Sequence, residues 1–121
     1  MNDLKYQLFM KKCYSNHPYD DNKRVLKLYE IKQGLRIISR KYGIKQVYLF
    51  GSYAYGNPDR FSDFDFLVDY GRCRGLDCIG YIDELERYFR KGVDAINLKS
   101  MNNILKNDIR ERKILVYDEL W

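Results

Sequence analysis

A chain of 121 residues fits one domain and leaves no room for a second core of useful size. With 45% hydrophobic and 32% charged residues it is too apolar for a disordered protein and too broken for a membrane one. The net charge of +5 is uneven: residues 1–43 carry ten Lys/Arg against Asp3, Asp20, Asp21 and Glu30, whereas the remainder carries twelve basic and thirteen acidic residues. No apolar run approaches the roughly 20 residues of a spanning helix. The start, Met1-Asn2-Asp3-Leu4-Lys5-Tyr6, has no basic stretch leading into an apolar one, so no signal peptide is expected and the protein is expected in the cytoplasm. Cys13, Cys73 and Cys78 form no CxxC pair and have no zinc-ligand neighbours at the usual spacing, which leaves free thiols in a reducing compartment. His17 is the one histidine and lies in a polar stretch before Pro18, so a histidine-based triad is excluded.

In chain order, Leu4, Leu8 and Phe9 share a helical face within residues 1–13. The turn cluster Ser15 to Asn22 separates this segment from the rest. Val25, Leu28, Tyr29, Ile31, Leu35, Ile38 and Tyr42 recur at helical spacing and Gly43 is a natural stop, which predicts a basic amphipathic helix of about five turns. Gln46 to Phe50 reads as a buried strand ending at Gly51-Ser52. After a turn at Gly56-Asn57-Pro58-Asp59, residues 63–69 read as a second strand. Leu76, Ile79, Ile82, Leu85, Glu86 and Phe89 trace a second helix, and Val93 to Leu98 a third strand. Ile104, Leu105 and Ile109 suggest a third helix, and Ile114 to Tyr117 closes as a short strand or helix tail. The order is mixed α/β, a small mixed β-sheet flanked by helices, with an N-terminal extension at 1–23 and the domain at 24–121. Tyr29, Tyr42 and Tyr48 fall at core-compatible positions, while Tyr53 and Tyr55 flank the segment singled out next.

The informative stretch is Gly51-Ser52, a ten-residue gap, then Asp63-Phe64-Asp65. Side chains at i and i+2 of a strand point the same way, so Asp63 and Asp65 share one face while Phe64, Phe66 and Val68 line the other. Two adjacent carboxylates repel, and a divalent cation resolves that conflict through the hard oxygen ligands that Mg²⁺ prefers. Asp94 is a charge in an otherwise apolar strand, Val93-Asp94-Ala95-Ile96. If its strand pairs beside the Asp63/Asp65 strand, three carboxylates converge as a two-metal site requires, and Asp94 is placed to take a proton from an incoming hydroxyl. Gly51 at a strand end lets backbone amides approach a phosphate, and Ser52 adds a hydroxyl donor. Each piece alone is a weak signal; the order strand, Gly-Ser, loop, Asp-x-Asp strand, helix, Asp-bearing strand is specific.

These residues resemble the nucleotidyltransferase superfamily related to DNA polymerase β, in its minimal nucleotidyltransferase (MNT) branch, over roughly Val25 to Leu120. The resemblance implies that Asp63 and Asp65 bind Mg²⁺, with two ions expected. It implies that Asp94 binds metal and serves as general base, and that Gly51 and Ser52 hold the triphosphate of ATP. Many relatives carry arginine directly after the Gly-Ser and again two residues later, where this chain has Tyr53 and Tyr55; Arg60 is a candidate substitute. Small MNT proteins are similar to this chain in size and are typically encoded beside a HEPN-domain ribonuclease toxin. Such antitoxins silence the toxin by transferring AMP from ATP to one of its tyrosines. The expectation is therefore a protein adenylyltransferase and antitoxin, hetero-oligomeric with a HEPN partner, for which the basic helix 24–42 is a candidate docking face. The alternatives are adenylylation of a small molecule and an inactive antitoxin that blocks its partner sterically. Direct nucleic-acid binding comes last, since the basic helix lacks the aromatic interleaving of stacking platforms. The acceptor residue, the nucleotide preference and the oligomeric state are not written in the sequence.

Overall fold

The computed structural model describes residues 25–56, 58, 63–100 and 113–121. The expected 1–13 helix, the 1–23 extension and the helix expected around 104–112 lie outside these residues, as does Arg60. Helix α1, Leu28–Tyr42, opens with the Glu30 carboxylate accepting from the Lys27 N–H at 2.8 Å, which satisfies a donor at the helix entrance. It closes at Gly43, whose φ of 72° turns the chain out of the helix while its N–H bonds Arg40. Its buried face is Ile31, Gly34, Leu35, Ile38 and Ser39. Tyr29, expected in the core, is instead 64% exposed. It stands two residues from Ile31, about 200° round the helix, so the two cannot face the same way.

Strand β1, Gln46–Phe50, follows, then the single-turn helix α2, Ser52–Tyr55, strand β2, Phe64–Asp69, and helix α3, Leu76–Phe89. Strand β3, Val93–Asn97, runs into a 3₁₀ turn at Leu98–Ser100, so it ends one residue earlier than expected. Ile114–Asp118 is a strand, β4, which settles the choice between strand and helix tail. The sheet has the order β3-β2-β1-β4. β1 pairs antiparallel with β2 and with β4, and β2 pairs parallel with β3. A parallel pair needs a crossover, and α3 supplies it.

One sheet face, with Val47, Leu49, Phe64, Phe66 and Val68, packs against α1 and α3 in a single core that also holds Tyr81, Leu85 and Phe89. Phe64 makes an edge contact with Phe89 at 5.0 Å between ring centroids. On α3 the core side runs through Tyr81, Leu85 and Phe89, whereas Leu76 and Ile79, read as core positions, are 83% and 66% exposed. Ile79 precedes Tyr81 by two residues and so lies about 200° away from it. The buried Tyr81 hydroxyl meets Ser39 Oγ at 2.7 Å, tying α3 to α1. On the opposite sheet face Leu67 is fully buried beneath Tyr48, Phe50, Ile96 and Leu98. Cys73 and Cys78 are free thiols, as expected. Among the described residues no helix is long and apolar enough to cross a membrane.

Candidate active site

The antiparallel register of β1 and β2 places Phe50 opposite Asp65, and the parallel register of β2 and β3 places Asp65 opposite Asp94. Residues paired across a sheet point to the same face, and neighbouring strands lie about 4.8 Å apart. Asp94, Asp65 and Phe50 therefore form one transverse row on the sheet face opposite the helices. The next row inward is Ile96, Leu67 and Tyr48, so the carboxylates stand at the edge of an apolar floor. Asp63 immediately precedes β2, and the following amide, Phe64 N–H, bonds the Gly92 carbonyl at 3.0 Å. This bond ties the start of β2 to the start of β3, two residues before Asp94. Asp63, Asp65 and Asp94 are all half-buried and each has an interaction partner.

Gly51 stands against the centre of the row. Its φ of 73° and ψ of −155° suit glycine, and a Cβ on it would lie 2.1 Å from Asp65 Oδ2. The backbone at Gly51 thus packs directly on the Asp65 carboxylate and leaves no room for a side chain there. Ser52 begins the α2 turn, whose fold is held by the Ala54 N–H on the Gly51 carbonyl at 3.0 Å.

Tyr53, one of the two tyrosines beside Gly51-Ser52, packs toward the core. Its ring packs inward on Phe64, 4.7 Å between centroids, and its hydroxyl accepts from the Leu26 N–H at 3.5 Å. Its presence is explained by packing between the α1 entrance and β2. The Tyr55 side chain lies outside the described residues.

Among the described residues no three His, Cys, Asp or Glu side chains are gathered as a preformed metal cage. Mg²⁺ is commonly held by one or two carboxylates and completes its octahedron with substrate phosphates and water. The donor set, all oxygen and carried on two adjacent strands, fits such a cation. Two residues of this region went unsingled in the sequence. Phe50 looked like an ordinary core position until the register set it beside Asp65. Glu86 was read as part of a helix face; a carboxylate at a core-facing position was the signal that marked it.

The nucleotidyltransferase domain family matches residues 31–116. A Methanocaldococcus jannaschii protein, provisionally named a protein adenylyltransferase, is 37% identical over 81 residues, 66% of this chain and 87% of its own length. Among solved structures, one described provisionally as a minimal nucleotidyltransferase superposes with a TM-score of 0.63 at 24% identity, covering 74% of this chain and 95% of its own. Another, a tri-AMPylated Shewanella oneidensis HEPN toxin in complex with MNT antitoxin, gives 0.57 at 16% identity, covering 78% of this chain and 75% of the other. These two likenesses bear on the fold, a small mixed sheet with helices on one side. With the family profile spanning most of its length and a relative 37% identical over two thirds of it, this chain belongs to the nucleotidyltransferase domain family and is a nucleotidyltransferase.

Proposed function

We propose that this chain is a cytoplasmic protein adenylyltransferase that moves AMP from ATP onto a tyrosine of a HEPN-domain ribonuclease toxin, and so acts as its antitoxin. The observation that carries the transfer chemistry is the parallel register that sets Asp94 beside Asp65, with the Gly51 backbone pressed on the Asp65 carboxylate. The provisional name of the M. jannaschii relative and the AMPylated toxin of the S. oneidensis complex support a protein acceptor.

In this reading Asp63, Asp65 and Asp94 hold two Mg²⁺ ions. When bound, they supply charge neutralisation at the attacking and leaving oxygens. The amides at Gly51 and Ser52 receive the triphosphate. Asp94 accepts the proton of the acceptor hydroxyl as its oxygen bonds the α-phosphorus. The bond from that phosphorus to the bridging oxygen breaks, and pyrophosphate leaves. The acceptor comes from another protein, which completes the site as a hetero-oligomer.

The test is transfer of label from α-³²P-ATP with Mg²⁺ to the partner protein. Label on the partner, lost with Asp63→Asn or Asp94→Asn, is the expected result. Label on an added aminoglycoside with no partner present points to small-molecule adenylylation. Neutralisation of the toxin retained by the Asp63→Asn/Asp65→Asn double variant, without label, points to a steric inhibitor.

A further inference from the structure

Glu86 is a charged side chain only 6% exposed, near the end of α3 and on the core side of the helix. A buried carboxylate is costly unless it is bonded. Its Oε1 accepts from the Val93 N–H at 3.0 Å, a buried bond. Its backbone carbonyl also accepts from the Arg90 N–H at 2.7 Å. One residue therefore clamps both sides of the tight turn that carries the chain from α3 into β3. The turn needs holding. Arg90 has a φ of 56°, the one positive value outside glycine among the described residues, and Lys91, 1% exposed, is buried within it.

The clamp leads straight to the acidic row. Val93, whose amide Glu86 holds, precedes Asp94. Gly92, on the other side of Val93, gives its carbonyl to the Phe64 N–H between Asp63 and Asp65. An unbroken series of bonds thus runs from the Glu86 side chain through the first peptide of β3 to the start of β2. Had this residue served packing alone, a leucine would fill the space without desolvating a charge.

We propose that Glu86 is a positioning residue for nucleotidyl transfer: it fixes the height of β3 against β2, and so where the Asp94 carboxylate stands relative to Asp65. The proposal rests on the transferase reading given above. Its test compares Glu86→Ala with Glu86→Gln, which keeps the accepting oxygen and the volume, in the full chain with partner protein, ATP and Mg²⁺. Displacing a reacting group by about 1 Å can cost on the order of 10²-fold in rate, so Glu86→Ala is expected to lower kcat by about 10- to 100-fold with KM for ATP within about threefold. Amide exchange at Val93 is expected to rise about tenfold or more as its hydrogen bond is lost. Glu86→Gln is expected to stay near wild type in all three readouts. The proposal is overturned if Glu86→Ala leaves Val93 exchange or kcat unchanged, or if Glu86→Gln is as impaired as Glu86→Ala. If the wild-type chain transfers no nucleotide the proposed function fails. The exchange result then decides alone whether Glu86 holds the start of β3.

Discussion

Asp65 and Asp69 show how place, not residue type, decides what a carboxylate does. Both lie on the same face of β2, separated by the buried Leu67. Asp69 is 7% exposed, accepts from the Gly71 N–H at 3.2 Å and lies 4.0 Å from Lys99 Nζ, so it braces the turn after the strand. Asp65 sits at the other end, beside Asp94 and against a backbone that has no side chain to spare. The fit at Gly51 gives a sharp prediction. An alanine there would bring a methyl 2.1 Å from Asp65 Oδ2, at a φ of 73° that alanine resists. Gly51→Ala should reduce transfer by about 10²-fold or more, because the carboxylate or the strand end must move out of place. It should also lower stability by about 1–3 kcal/mol from crowding and backbone strain. Steady-state kinetics with a denaturant titration separates the two effects, and wild-type activity in this variant would contradict the packed geometry.

The two long helices meet at Gly34, where an added Cβ would lie 2.5 Å from Tyr88 Cε1 and 2.6 Å from Phe89 Cζ. In an exposed helix glycine to alanine gains about 1 kcal/mol. Here the sign should reverse. Gly34→Ala should cost about 1–3 kcal/mol, since Phe89 is buried against Phe64 and cannot retreat freely. Equilibrium unfolding in urea checks this, and a stabilised variant would mean that the helices separate easily. At this scale much was legible in advance. Alternation and β-branched or aromatic content marked β1, β2 and β3, because each strand is short and bounded by glycine or a polar turn. Helix faces were legible only in part. Periodicity found an apolar stripe on each helix but drew in Tyr29, Leu76 and Ile79, which the structure leaves exposed. Both helices carry apolar residues on more than one side, and a single sequence does not say which side the sheet will cover. The Tyr81–Ser39 bond, a polar contact between residues 42 apart, has no local signal at all.

Across the whole molecule, the candidate site depends on a fact of topology. Asp63-Phe64-Asp65 and Gly51-Ser52 were visible as motifs, whereas the meeting of Asp94 with Asp65 required β3 to add parallel to β2 in one register. That register comes from the α3 crossover and the turn that Glu86 clamps, neither of which any motif encodes. The inward turn of Tyr53 was hidden for the same reason, since its contacts are with Leu26 and Phe64. The global packing also predicts a response to alkali. Burial, then its hydrogen bond with Cys78, pushes the Cys73 thiol up to about 12, and burial pushes Tyr70 up to about 12. Burial likewise raises Tyr81. Folded-state values above the unfolded ones mean stability that is complete below the unfolded pKa and is lost as pH rises toward the folded one. The unfolded thiol titrates near about 8.5 and the phenols near about 10, so the denaturation midpoint should hold from neutrality to about pH 8.5 and fall steadily above it. A midpoint that stays level to pH 11 would contradict the burial of these groups. The most direct test of the central claim is the intact mass of the co-purified partner after incubation with this chain, ATP and Mg²⁺. The account predicts a gain of one or more AMP units that disappears with Asp65→Asn and with Asp94→Asn. An unchanged partner mass, or a gain that survives both substitutions, would contradict it.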